Sequence, residues 1–443
     1  MIKITQKEFI NCFNRNVYKK IVKETSIPYD TNVSYSQFKD ILKEVYEELK
    51  NGNYSNSAPR NFLQLHKSLY VARNIPLLSI KDEALYYFIT KYIEDDIAHN
   101  RTQYTFGGWK LGNPLKQKES DDIDEIQYVY GSYNPTLWSS EWKQFNKISA
   151  SFSLSEDYEY AIKLDISNFY DSINFNILYS KLLECISKEK IWILDYLLFF
   201  LKHWNKKVDN YRERSSGLPQ TEFGDQSRIL ANFYLQDYDS KMKIVCDKYD
   251  AVYVRYADDQ IIFLKNENWQ EIMYTANNEL NNIGLNLNVA KTKLYDINEL
   301  NKHYLFQQQI QLDNKEYNKS FKSFYKLYET DKNSIRYDIY IHRIFSKKIG
   351  LGKLSKQNQV LAKHIVFDKE FLILSNLRTL NNIYYNLTSN EKVSFIELLL
   401  SFINEVSFNS YLYVLLQFFN SQELHEKADL ILNLINDKYN SEE

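Results

Sequence analysis

Apolar and polar positions follow two rhythms along this chain, one of period two and one of three to four residues. From Ala251 to Leu264 the run is β-branched and aromatic except at its centre, where Ala257-Asp258-Asp259-Gln260 interrupts it. Val252 and Val254 before the break, and Ile261, Ile262 and Phe263 after it, favour extended backbone. The pattern predicts a hairpin with acid at its tip. A second apolar run, Tyr160 to Leu164, predicts a buried strand that emerges at Asp165 and passes into a helix-like stretch through Ile173. Between the two lies Ser216–Gln220, a turn, followed by Phe223–Leu235, which has the spacing of an amphipathic helix. Further upstream Asp82–Asp95 reads as an apolar helix. Toward the C-terminus, Glu370–Leu377, Val393–Ile403 and Ala428–Ile435 keep helical spacing, separated by Ser, Asn and Glu, without an exact internal repeat. Strands and helices in the middle and helices alone at the end predict an α+β chain.

Composition narrows this picture. The 443 residues suffice for two or three domains, and an apolar share of 44% supplies their cores. Only 10 Gly and 6 Pro imply a helix-rich chain with no flexible linker, so boundaries must come from pattern. The 37 Tyr and 26 Phe reflect a compositional bias more than stacking sites. Phe321, Phe324, Tyr325 and Tyr328 recur at helical steps and read as core rather than as a platform for bases. Cys12, Cys185 and Cys246 lack the spacing of a zinc site and read as free thiols of a reducing cytoplasm. The N-terminus lacks a signal pattern, no run of eighteen apolar residues occurs, and Ile191–Leu201 is too short to cross a bilayer. The expectation is a soluble, cytoplasmic protein with no membrane partner.

Charge is informative only locally. Lys and Arg number 55 against 57 Asp and Glu, a net charge of −2. A polyanion nevertheless needs only a positive track. One cluster holds Lys202, Lys206, Lys207, Arg212 and Arg214; a longer one runs from Lys315 to Lys356 and includes Lys322 and Lys326.

Asp258 and Asp259 raise the sharper question. Adjacent carboxylates repel and lift each other's pKa unless a cation sits beside them. A solvated turn is the ordinary explanation, because Asp is a common turn residue. Asp165 adds a second acid at a strand end. Carboxylates from two strands are what a two-metal phosphoryl transferase needs, with ions roughly 3.5–4 Å apart bridging the attacking and leaving oxygens. Hard oxygen ligands of this kind suit Mg²⁺, with Mn²⁺ the alternative.

The ordered set Tyr160–Ile173, Ser216–Leu235, Tyr256-Ala-Asp-Asp259 and Leu280–Lys293 resembles motifs A to D of the reverse transcriptases, most closely the bacterial abortive-infection and defence-associated "unknown group" enzymes, with retron-type enzymes near relatives. The tetrapeptide alone is a weak signal; the order of four segments is a strong one. The resemblance spans about residues 60–300, with Ala72–Pro76, Tyr130–Trp138 and Trp142–Phe145 as upstream candidates for the fingers. It implies a metal site of Asp165, Ile166, Asp258 and Asp259, with Asp259 adding charge beside the two ligand acids. Tyr170 would exclude the ribose 2′-hydroxyl, and Gln220, with Gly217 and Pro219, would touch the incoming nucleotide. Lys291, or Lys293 near it, would neutralise the leaving pyrophosphate. Lys206, Lys207, Arg212, Arg214, Lys322 and Lys326 would bind nucleic acid. One departure stands out at motif B, where Thr221 occupies the usual Gly position and Gly224 is the nearest substitute.

By the same resemblance the chain is a right-hand polymerase: N-terminal helices and fingers over 1–158, a ferredoxin-like palm over 159–300, a basic helical thumb over 301–365, and a helical, HEAT-like C-terminal domain over 366–443. The implied activity is RNA-directed DNA synthesis in antiphage defence. Its partners would be an RNA template or noncoding RNA, DNA product, deoxynucleoside triphosphates, and a second copy or another protein through the C-terminal helices. Two alternatives stay open: template-independent, protein-primed synthesis at the same site, and a non-catalytic RNA-binding scaffold.

Overall fold

In a computed structural model of the chain, the described residues are 3–27, 33–98, 101–118, 127–133, 137–205, 212–221, 224–301, 317–330 and 351–439. They fall into two units. The first comprises Met1–Ser26, Asp30–Asn61 and Pro76–Asn301; the second comprises Ile27–Tyr29, Phe62–Ile75 and Lys302–Glu443.

The chain begins with helices α1 (Gln6–Asn11), α2 (Arg15–Thr25) and α3 (Tyr35–Asn51). Each starts on a side chain able to satisfy free backbone N–H groups: Thr5, Asn14 and Ser34 accept from the first turn. Strands β1 (Asn61–His66) and β2 (Ala72–Leu77) form a two-stranded sheet. Helix α4 (Ile80–Ile97) is buried around most of its circumference, through the apolar run Ala84–Ile89 and through Asp82, Glu83 and Glu94, which are buried with it. Next come β3 (Thr105–Phe106), β4 (Gly112–Lys118), β5 (Gln127–Tyr133), α5 (Leu137–Ser153), β6 (Tyr160–Leu164), α6 (Phe169–Ser172), α7 (Phe175–Cys185) and α8 (Trp192–His203). The unit closes with α9 (Asp225–Tyr234), α10 (Gln236–Lys248), β7 (Val252–Tyr256), β8 (Asp259–Leu264), α11 (Gln270–Asn282) and β9 (Lys293–Asp296).

Five of these strands form one sheet in the order β3-β7-β8-β6-β9, with β3 parallel to β7 and the other pairs antiparallel. The Ile-Ile-Phe-Leu run of β8 is buried on both faces, which is why it does not alternate with polar residues. On one face Ile262 and Leu264 join a core with Met242 of α10 and Ala276 and Leu280 of α11. On the other, Phe263 meets Phe152 of α5 at 5.8 Å, and Tyr256 meets Trp142 and Phe145 of α5 at 4.9 and 5.9 Å.

Two buried polar layers tie the helices together, the second of them also to this sheet. In the first, Lys20 of α2 donates to Gln226 of α9 at 3.1 Å and lies 3.5 Å from Asp225, while Gln226 donates to Glu83 of α4 at 2.6 Å. Burial pushes Glu24, beside Lys20, well above the usual carboxylate range. In the second, Arg255 of β7 grips Asp239 of α10 through Nε at 2.7 Å and Nη2 at 2.5 Å, and Tyr253 donates to the same carboxylate at 2.8 Å. Both Arg255 and Asp239 are fully buried.

In the second unit, α12 (Tyr317–Thr330) is followed by α13 (Lys356–Val366), α14 (Lys369–Leu374), α15 (Leu377–Tyr385), α16 (Ser389–Ser401), α17 (Asn409–Ser421) and α18 (His425–Tyr439). Phe321, Phe324 and Tyr328 of α12 belong to its core, so the aromatic stripe packs rather than stacks. Glu370–Leu377 is not one helix: Asn376 accepts from the Thr379 N–H at 3.0 Å and starts α15, ending α14 just before it. Buried Asn409 completes β1, donating to the Phe62 carbonyl at 2.8 Å and accepting from the Gln64 N–H at 2.8 Å. Among the described residues no helix is long and apolar enough to cross a membrane.

A buried guanidinium without its partner has no route to water. Asp239→Asn is expected to destabilise the first unit by about 3–5 kcal/mol, whereas Asp239→Leu combined with Arg255→Met recovers much of that loss. Denaturant unfolding of the two variants checks both values.

Candidate active site

The acidic hairpin forms as its sequence predicts. Tyr256 pairs with Asp259, leaving Ala257 and Asp258 as a two-residue turn. Ala257 takes a φ of +52°, a conformation that costs a residue other than Gly about 1–3 kcal/mol and persists only where its surroundings impose it. Here they do. Its N–H donates to the Phe106 carbonyl at 3.3 Å, and its carbonyl accepts from Arg255 Nη1 at 3.0 Å. The same Nη1 donates to Asn232 Oδ1 at 2.8 Å, and Asn232 Nδ2 donates to the Gly108 carbonyl at 2.6 Å. Gly107 has a φ of +118°, and a Cβ there would stand 3.1 Å from the Ala257 nitrogen and 3.2 Å from Asn232 Nδ2. Sequence reasoning missed Arg255, Asp239, Asn232 and Gly107. The available signal was an arginine inside an otherwise apolar strand, which demands a buried partner.

Asp165 stands one residue beyond β6. Leu164 pairs with Gln260 as the last pair of that ladder, so Asp165 leaves the strand beside the hairpin acids, and its charge acts on both Asp258 and Asp259. Ile166 bridges to Leu287, through bonds from the Ser167 N–H to the Asn286 carbonyl and from the Asn288 N–H to the Asp165 carbonyl, each 2.8 Å. In such a wide pair the residue's own N–H and C=O point away from its partner, here toward the hairpin. With its apolar side chain buried, Ile166 has only that carbonyl to offer a cation.

The Asp165 side chain is engaged at both oxygens: Asn288 Nδ2 donates to Oδ1 at 3.0 Å and Lys291 Nζ to Oδ2 at 2.8 Å. Hydrogen bonding to Asp165 pushes the Lys291 pKa upward. Lys293, its neighbour in sequence, pairs instead with Glu299 at 3.1 Å. Burial, then Asp259 and Asp165, push the Asp258 carboxyl up to about 6. Burial also lifts Asp259, with Asp165 adding to the rise while Lys163 and Lys291 oppose it. Asp258 therefore feels both other acids, and Asp259 feels Asp165, in a poorly solvated patch. Their hard oxygen donors suit a divalent cation in chemistry. Among the described residues, however, no three acid, His or Cys side chains form a metal cage as they stand.

Tyr170, in α6, and Gln220 belong to two segments that pair through their backbones. The Leu218 N–H donates to the Tyr170 carbonyl at 2.9 Å, the Gly217 N–H to the Ile173 carbonyl at 3.1 Å and the Phe175 N–H to the Ser215 carbonyl at 3.0 Å. Gln220 Nε2 donates to Asp171 Oδ1 at 3.2 Å. Ser227 of α9 donates to the Pro219 carbonyl at 2.5 Å and meets the Tyr86 hydroxyl of α4 at 2.9 Å. Gly217, at φ +100°, faces Arg214, whose Nη2 would stand 2.8 Å from a Cβ there. Gly224 opens α9 at φ +52° and donates to Thr221 Oγ1 at 3.1 Å, so Thr221 and Gly224 close this turn together.

The basic residues separate by place. Arg214 packs over Trp204 at 5.1 Å and donates to the Ser216 carbonyl at 3.1 Å, which commits its guanidinium to the loop. Arg212 is exposed, as are Lys322 and Lys326 on α12, whereas Lys202 pairs with Glu213 at 3.0 Å. Lys206 and Lys207 lie outside the described residues.

Residues 124–335 match the family model described as reverse transcriptase (RNA-dependent DNA polymerase). No curated protein matches the chain. Among solved structures, the apo telomerase of Candida tropicalis, truncated from its C-terminal domain, is 14% identical, with 58% of this chain and 55% of that chain covered and a TM-score of 0.33. The chain thus spans about half the length of that structure. The matched stretch carries Asp165, Tyr170, Gln220, Asp258, Asp259 and Lys291, and over it this chain is similar to the reverse transcriptases, RNA-directed DNA polymerases of the nucleotidyltransferase class.

Proposed function

We propose that the protein is a reverse transcriptase that extends a primer hydroxyl with deoxynucleotides, with the five-stranded sheet as its palm. The observation that carries this reading is the meeting of Asp165, one residue past the last pair of the β6–β8 ladder, with the Asp258–Asp259 hairpin, the two hairpin acids held above their ordinary pKa. The matched family adds the reaction class. In this reading β1, β2 and the elements up to α5 serve as fingers, the basic stretch around α12 as thumb, and the last helices as a HEAT-like docking domain.

Reverse transcriptase domains use divalent ions, and the donor set here fits Mg²⁺ or Mn²⁺: Asp165, Asp258 and the Ile166 carbonyl would hold them, with Asp259 supplying further negative charge. When bound, such ions sharpen the attacking hydroxyl and stabilise the charge developing on the leaving pyrophosphate. The chain's own residues position the reactants. Tyr170 would exclude a ribose 2′-hydroxyl with its ring, and Gln220 would steady the incoming nucleotide. The ammonium of Lys291, which borders the acids, would neutralise the phosphate being released and so favour the transition state over the ground state. Exposed Arg212, Lys322 and Lys326 suit a phosphodiester backbone, through which an RNA template and DNA product would be held. A cytoplasmic role in antiphage defence extends the family resemblance to biology.

Asp258→Ala is expected to lower incorporation of labelled deoxynucleotides by about 10²–10³-fold or more. Product resolved before and after protease checks this; label that stays on the protein until digestion identifies protein priming instead. With Tyr170→Ala, the preference for deoxynucleotides over ribonucleotides should fall by about tenfold to a hundredfold, read as the ratio of the two kcat/KM values.

The pH dependence follows from Asp258. Only its ionised form takes a cation, so at subsaturating Mg²⁺ activity should decline as pH drops through about 6 and recover with added Mg²⁺. The folded value lies above the ordinary 3.8, so without metal the folded state binds the extra proton between 3.8 and about 6, and stability falls as pH rises through that window. Asp258→Asn, permanently neutral, should then raise the Tm of the metal-free protein at pH 7 by about 2–4 °C.

A further inference from the structure

One short turn brackets Asp165 from main chain to carboxylate. The Asn288 N–H is bonded to the Asp165 carbonyl at 2.8 Å, and its side-chain amide occupies Oδ1 at 3.0 Å. The Asn288 carbonyl in turn accepts from the Lys291 N–H at 3.1 Å and the Thr292 N–H at 3.0 Å, so the lysine stem starts from a fixed point. Its ammonium reaches Oδ2 at 2.8 Å. Asp165 is buried, with a side chain 6% exposed, whereas the Lys291 side chain is 63% exposed, so the ammonium lies on the solvent side of the acid. An oxygen that faces an ammonium at hydrogen-bond distance cannot present the same lone pairs to a divalent ion at roughly 2.0–2.1 Å. Two cations on one oxygen would also repel.

We propose that the Lys291 ammonium and the divalent ion exchange at Asp165 Oδ2, with Asn288 holding the carboxylate in orientation throughout. The inference rests on the metal-dependent reading above and deepens it. Lys291 is then a tethered counter-ion of the acidic patch, and metal loading releases it toward the substrate phosphates. The lysine reaches an anionic substrate only in enzyme that already holds its ion, which couples the two cations without any rearrangement of the fold.

The test is Mn²⁺ titration of the nucleotide-free full-length chain, with free ion measured by electron paramagnetic resonance and no turnover required. Lys291→Met should tighten Mn²⁺ binding about tenfold, the loss of one charge-assisted hydrogen bond. Lys291→Arg, which keeps a competing cation, should stay near wild type. Lys163→Met is the control for charge alone, because Lys163 acts on Asp259 through space. Tightening in Lys291→Met several times larger than in Lys163→Met supports exchange; equal tightening in both, or none, overturns it. Asp258→Asn separates the two levels. If it weakens Mn²⁺ binding while Lys291→Met changes nothing, the exchange alone is wrong. If it leaves binding untouched, the metal site is wrong and the exchange falls with it.

Discussion

The Arg255 guanidinium is the group on which the acidic turn depends. Two of its nitrogens are bound to Asp239, and the third holds the Ala257 carbonyl and the Asn232 side chain. A charge this deeply buried tolerates little movement, because every displaced bond leaves a donor with no access to water. The strand carrying Asp258 and Asp259, helix α10 through Asp239 and helix α9 through Asn232 are therefore fixed to one planar group. Gly107 contributes by lacking a side chain, since a Cβ would press on both the Ala257 nitrogen and Asn232.

That anchoring lets the site hold what the chain would otherwise relax. Ala257 keeps a left-handed backbone, and Asp258 and Asp259 remain close in a patch where burial raises both, with Asp259 and Asp165 adding to the rise at Asp258 and Asp165 to that at Asp259. Such features cost stability and concentrate at working sites. The cost is offset by the sheet beneath. Ile262, Phe263 and Leu264 are buried, and the aromatic rings of α5 cover Tyr256 and Phe263. The Tyr170–Gln220 region is held by other means: Trp204 and Arg214 on one side, Ser227 and Tyr86 on the other, all bonding loop carbonyls or each other.

Charge serves different ends in different places. Lys20 and Arg255 are buried and hold helices to their neighbours, Arg214 shapes a turn, and Lys291 covers an acid from the solvent side. Arg212, Lys322 and Lys326 are exposed. A net charge near zero therefore says little about nucleic-acid binding, because the cations that shape the fold are not available to a polyanion.

The amino-acid sequence by itself determined the hairpin, the strand ending at Asp165, the helix after the Ser216–Gln220 turn and the helical C-terminal stretch. Each of these follows from short-range periodicity and turn chemistry, which neighbouring residues encode. The positions of Asp165, Asp258 and Asp259 were legible for the same reason, since acids at the ends of apolar strands stand out. The tertiary structure decided which charges meet. That Arg255 answers Asp239, that Lys291 rather than Lys293 reaches Asp165, that Asn288 orients it and that Arg214 turns toward a loop all depend on strand register and on segments far apart in the chain. A lysine or arginine looks the same in sequence whether it faces solvent or a carboxylate; only the fold brings the partner to it.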